Sequence, residues 1–141
     1  MTRALLLATL GVLLATPPAA AQSDGPVGLW QTPIHGGQVR IARCGQALCG
    51  TLVTSDNIRA NPDLRDYNNS DRALRSRRVR GLPLLGGFTG GPTEWTGGFV
   101  YNPQDGRTYR GRIVLTGPNT LRLRGCVFVP LCRTQTWTRI P

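Results

Sequence analysis

Four cysteines stand in two short-range pairs, and no other feature limits the fold of this chain so narrowly. Cys44 and Cys49 enclose Gly45-Gln46-Ala47-Leu48, and Cys126 and Cys132 enclose Val127-Phe128-Val129-Pro130-Leu131. Each pair brackets a hairpin tip between β-like runs, and cross-strand neighbours lie at disulfide distance. Of the connectivities that four cysteines admit, the sequence therefore predicts Cys44–Cys49 and Cys126–Cys132. Zinc is the competing reading. It is weaker, because neither spacing is a short C-x2-C knuckle and His35 is the sole histidine. No metal site, no redox motif and no cofactor are expected.

Disulfides form in oxidising compartments, and the start of the chain agrees. Arg3 precedes an apolar run from Ala4 to Ala15, and Ala19-Ala20-Ala21 stand just before Gln22. This is the pattern of a secretory signal peptide. The expectation is a leader over 1–21, a single β-barrel domain over 22–141, and a periplasmic or secreted location. No stretch beyond the leader approaches the roughly 20 apolar residues of a membrane span.

Every basic residue is Arg, and the formal net charge is +10, or +9 without Arg3. Codon bias and a binding role both fit that usage. Such a charge attracts anionic partners and is screened by salt. An anionic envelope component is one expected partner. Nucleic acid is not, because no recognition motif is present. A monomer is expected.

Period-2 alternation dominates, and helical periodicity is scarce. Strands are predicted over 27–32, 38–44, 48–54, 79–85, 95–101, 107–115, 120–126 and 133–140. Asn102-Pro103-Gln104-Asp105-Gly106 and Thr116-Gly117-Pro118-Asn119 are strong hairpin turns. Eight short strands joined mostly by tight turns predict an all-β, eight-stranded antiparallel up-and-down barrel with a long loop between strands three and four. A two-sheet sandwich is the runner-up. In such a meander the connections alternate between the ends. His35, the 55–77 segment, the Asn102–Gly106 turn and the Cys126–Cys132 loop should share one end. The Cys44–Cys49 hairpin should lie at the other.

The first strand reads Gly28-Leu29-Trp30, and Arg139 ends the last strand. This resembles the G-x-W signature of lipocalins and related calycin barrels. The resemblance implies that Trp30 closes the barrel floor with Arg139 over its ring, a cation–π pair. A longer match runs Gly28-x-Trp30-x-Thr32, Cys44-Gly45, Leu48-Cys49-Gly50, Asp66-x-x-Asn69 and Leu74-Arg75-x-Arg77. It continues through Trp95-x-Gly97-Gly98-x-x-Tyr101-Asn102-Pro103, Gly106-x-Thr108-Tyr109, Asn119-Thr120-Leu121, Arg124-Gly125-Cys126 and Thr134-Gln135-Thr136-Trp137-x-Arg139. These blocks resemble the bacterial exported family catalogued as domain of unknown function 2147. That resemblance implies an envelope protein and assigns no catalytic residue.

Alternation puts Trp30, Trp95, Phe99, Tyr101, Tyr109 and Trp137 on the inner face, with Arg133 and Gln135 beside them. A lumen lined this way suits a small apolar or amphiphilic ligand, unless the barrel's own side chains fill it. The 55–77 segment is polar and long enough to be a mobile lid that buries little. The candidate ligand-binding residues are Trp95, Tyr101, Tyr109, Arg133, Asp66, Asn69 and Arg75. Arg133 is expected to need a buried acid as partner. No catalytic residue is expected. Asp63, Asp66 and Asp71 raise a hydrolase reading, but Arg65, Arg72, Arg75 and Arg77 stand ready to keep them ionised. The expectation is a non-enzymatic binder. The alternative is a filled barrel that engages an anionic polymer or a protein through its Arg-rich surface.

Overall fold

The computed structural model describes residues 25–141. The leader expected over 1–21 and its cleavage point lie outside them. Eight strands follow one another: β1 (Gly28–Gln31), β2 (Gln38–Cys44), β3 (Ala47–Thr54), β4 (Pro83–Gly90), β5 (Glu94–Asn102), β6 (Arg107–Gly117), β7 (Thr120–Phe128) and β8 (Leu131–Ile140). Each pairs antiparallel with the next, and β8 returns to β1 to close a barrel. The seam holds Leu29 against Ile140, Trp30 against Arg139 and Gln31 against Thr138. Closure removes the free edges that a sandwich would leave.

The strands form where the alternation is clearest. Val39 and Ile41 on β2, Leu48 and Leu52 on β3, Ile113 on β6, and Leu121 and Leu123 on β7 are all buried at period 2. Arg110, Arg112 and Arg122 face solvent between them. Both disulfides are local, Cys44 with Cys49 and Cys126 with Cys132. The first staples the β2–β3 hairpin and the second the β7–β8 hairpin, at opposite ends.

Two strand predictions need correction. The fourth strand runs over Pro83–Gly90 rather than 79–85. Gly86, Gly87 and Gly90 look like a break in the sequence, but Gly86 lies in the sheet opposite Phe99. A Cβ there would overlap the Phe99 ring.

The second correction concerns β5. A bulge between Trp95 and Gly98 sets two residues, Thr96 and Gly97, against the single Arg112 on β6, with Gly97 at φ +75°. The alternation therefore switches. Trp95, Gly98 and Val100 face in, whereas Phe99 lies outside and is 39% exposed. The ring that fills the vacated interior is Phe88, fully buried in the space left by Gly98 and Gly111.

The segment between β3 and β4 is outside the sheet but is not loose. It holds a short helix, α1 (Asp56–Ala60), whose Ser55 cap accepts a hydrogen bond from the Ile58 amide at 3.3 Å. A 3₁₀ turn follows at Arg72–Leu74, capped by Asp71. Ile58, Asp66 and Asn69 are buried. The expectation that this segment buries little is thus overturned. Alternation does not register one apolar residue on a helical turn, nor polar groups buried against one another.

At the floor Arg139 Cζ stands 4.4 Å from the Trp30 ring centroid. Its guanidinium also donates to three carbonyls, Val27 O at 2.7 Å, Gly25 O at 2.6 Å and Pro118 O at 2.9 Å. Trp30 Nε1 donates to Pro26 O at 2.8 Å. Gly28 has φ +141°, and a Cβ on it would stand 2.6 Å from Arg139 Nη1. The glycine of the G-x-W signature is therefore the space that the arginine occupies.

Candidate functional site

The connections β1–β2, β3–β4, β5–β6 and β7–β8 meet at the end opposite the Trp30 floor. They surround an open cavity of about 800 Å³ whose rim includes His35, Asn57, Asn68, Gln104 and Leu131. The barrel is hollow at this end because its lower half is already plugged. Trp30, Phe88, Trp95, Ile113 and Leu121 fill the floor, and smaller chains remain above them.

The cavity divides by chemistry. Val39, Leu52, Leu85, Val100 and Leu123 line its apolar part, and Trp137 is at its bottom. Trp137 Nε1 donates to Gln135 Oε1 at 2.9 Å, so the indole's polar edge is satisfied. One wall is polar. Gln135 pairs with Leu123 and Arg133 with Gly125 across β7–β8, which turns both inward. Tyr109 faces them from β6, and its hydroxyl donates to the Asp105 carboxylate in the β5–β6 turn. That carboxylate, and then burial, hold the Tyr109 hydroxyl above the usual phenol range.

The expected ligand-binding residues scatter. Tyr101, Tyr109 and Arg133 reach the cavity together. Arg133 is exposed at the mouth, not buried, and has no carboxylate within ion-pair distance among the described residues. It therefore needs no buried acid. Trp95 is at the wrong end. It is the second residue of β5, at the floor, with its ring 3.7 Å from where a Cβ on Gly25 would be. Tyr101 borders the cavity beside Val100, but its hydroxyl is buried against the 55–77 segment. Asp66 and Asn69 are buried against that hydroxyl. Arg75 is exposed, and its Nε donates to the Asn69 carbonyl at 2.7 Å.

These last residues form a clasp. Tyr101 Oη donates to Asp66 Oδ1 at 2.5 Å and accepts from Asn69 Nδ2 at 3.0 Å. Asp66 Oδ2 accepts from Asn69 Nδ2 at 2.8 Å and from Arg77 Nε at 2.9 Å. Arg77 Cζ also stands 5.3 Å from the Tyr101 ring centroid. Burial, then the Asp66 carboxylate, push the Tyr101 hydroxyl up to about 12. Nearby, Asn68 Nδ2 donates to the Pro103 and Gln104 carbonyls at 3.3 and 3.0 Å. The clasp pins the segment to the rim.

The lid acids do not converge as a catalytic pair. Asp63 pairs with Arg65 and Arg78, which hold it below the usual carboxylate range, the Arg65 hydrogen bond foremost. Asp66 pairs with Arg77, and Asp71 caps the 3₁₀ turn. A general acid needs a raised pKa, which the Arg65 and Arg78 contacts of Asp63 oppose. Val100, Leu85 and Asp105 were not among the sequence candidates. Only Val100 was concealed by the bulge. Leu85 was read as lying at the end of a strand and Asp105 as a turn residue.

A protein from Helicobacter pylori described as belonging to the lipocalin family has a similar structure. The TM-score is 0.73 at 21% sequence identity, covering 82% of each chain. That likeness establishes the fold. No curated protein matches this chain. Residues 28–139 match DUF2147, a family described as an uncharacterized protein conserved in bacteria, and this chain belongs to it.

Proposed function

We infer that this chain is an exported, non-enzymatic barrel that binds a small amphiphile at its mouth. The observation that carries this reading is the open cavity of about 800 Å³, apolar below and polar on one wall. Cavities of roughly 300–1,000 Å³ with few polar groups suit small ligands. The ligand's apolar part lies over Trp137 and between Leu52, Val100 and Leu123. An anionic group sits at Arg133, the free guanidinium of the polar wall, within reach of Gln135 and Tyr109. The signal-like start and the two disulfides support an envelope location. The lipocalin-like fold is compatible with ligand binding and does not identify a ligand. The open cavity favours this reading over a filled barrel that engages partners only through its surface.

A fluorescent fatty acid tests this directly. Trp137 lines the cavity, so the bound probe should quench tryptophan emission saturably. Val100→Phe, which narrows the lumen, should weaken that binding. Arg133→Gln should weaken the fatty acid about fivefold and leave the matching neutral alcohol unchanged. No saturable binding by the parent protein, or binding indifferent to Val100→Phe, refutes the reading.

A further inference from the structure

The tip of the β7–β8 hairpin is built unlike the other turns. Hairpin tips favour Asn, Asp and Gly, yet this one reads Val127-Phe128-Val129-Pro130-Leu131. Val127, Phe128, Val129 and Leu131 are 58%, 62%, 75% and 57% exposed. The other exposed large hydrophobics among the described residues, Tyr67, Leu74 and Phe99, stand apart from one another in the sequence. The Cys126–Cys132 disulfide ties the base of the hairpin, which holds these side chains out. None of them belongs to the core or to the hydrophobics packed against it.

The outer wall beside the tip is basic. Arg110, Arg112 and Arg124 line an external groove of about 350 Å³ together with Val127, Phe128 and Val129. Arg112 pairs with Glu94 at 2.7 Å. Arg110 and Arg124 have no carboxylate within ion-pair distance among the described residues. Free guanidiniums around an apolar projection match one kind of surface, a bilayer with anionic headgroups. A second copy of this chain fits worse, because it would bring like charge against like.

We propose that the β7–β8 tip docks this barrel on an anionic bilayer. Val127, Phe128, Val129 and Leu131 enter the headgroup region, and Arg110 and Arg124 contact the lipid phosphates. The tip belongs to the same end as the cavity mouth, so the docked barrel presents its opening to the lipid. The docking itself does not require the cavity to hold a ligand, and its test reads a different quantity from the fatty-acid titration.

The experiment is co-sedimentation with phosphatidylcholine vesicles, with and without phosphatidylglycerol. The protein should bind the phosphatidylglycerol vesicles and release as salt rises. Phe128→Ser with Val129→Ser should lower that binding about tenfold or more. Arg110→Gln with Arg124→Gln should lower it roughly 25-fold, or about fivefold per guanidinium. Arg40→Gln with Arg43→Gln removes the same charge toward the opposite end and should stay within about twofold of the parent. Phe128→Trp adds a readout that needs no destabilised variant, a blue shift on phosphatidylglycerol vesicles alone. Three results with vesicles would overturn the proposal. They are no binding by the parent protein, tip variants that bind like the parent, and an opposite-end variant that loses as much as the Arg110 and Arg124 pair. A dimer in solution that the tip substitutions dissolve would also overturn it and assign the tip to a second copy.

Discussion

Tyr101 and Asp66, 35 residues apart, share a hydrogen bond of 2.5 Å in the buried interior of the clasp. It joins strand β5 to a segment with no place in the sheet. Asp66→Ala should leave Tyr101, Asn69 and Arg77 without their acceptor. The expected cost is about 2–4 kcal/mol, below the figure for a fully buried pair because Arg77 reaches water. Denaturant unfolding checks the cost, and hydrogen exchange checks its place. Amides of 64–70 should lose more protection than those of 107–115. Uniform loss would mean that the clasp is not a local fastening.

The same pair sets an alkaline limit. The Tyr101 hydroxyl is raised to about 12 by burial and by Asp66, from an ordinary phenol value of 10.0. The folded chain then holds that proton more tightly than the unfolded chain does. Stability from this group is complete below the unfolded pKa and falls as pH rises from about 10 toward 12. Tyrosinate absorbance should resolve a late-titrating group that Tyr101→Phe removes. If all three tyrosines titrated together, Tyr101 would not be buried against a carboxylate.

At the floor, Trp30→Ala should cost about 3–5 kcal/mol as a buried aromatic lost from a packed site. Arg139→Ala should cost about 1–2 kcal/mol through lost stacking and lost carbonyl contacts. The double mutant should cost less than the sum, because each residue is the other's neighbour. Strict additivity in urea unfolding would show that they do not touch.

Phe88 occupies space left by two missing Cβ atoms. Gly111→Ala or Gly98→Ala should each destabilise by about 1–3 kcal/mol through overpacking. Trimming the ring with Phe88→Leu should recover part of the Gly111→Ala loss. A double mutant as poor as the sum of its parts would place the strain elsewhere.

Much of this architecture could be read from the sequence by itself. Alternation marks Val39, Ile41, Leu48, Leu52, Leu121 and Leu123, and those positions form the inner wall. The turn residues at 102–106 and 116–119 separate the strands as read. The cysteine spacing gives both disulfides, because hairpin partners are near neighbours in the chain. Counting connections also assigns the loops to the correct end of the barrel. All of these are short-range properties, decided within a few residues.

The tertiary structure alone decided the rest. The bulge after Trp95 depends on how β5 meets β6, and its one extra residue exchanges Phe99 for Val100 on the inner face. The burial of Asp66 and Asn69 depends on Tyr101, on a distant strand, since a polar residue goes inside only when a partner is waiting there. Whether the lumen is hollow depends on the sum of all inward volumes. Phe88 and the floor tryptophans fill one half, and the smaller Val39, Leu52, Val100 and Leu123 leave the other open. Period-2 patterning reports which face a residue is on. It does not report which partner crosses the barrel to meet it, or how much room remains between them.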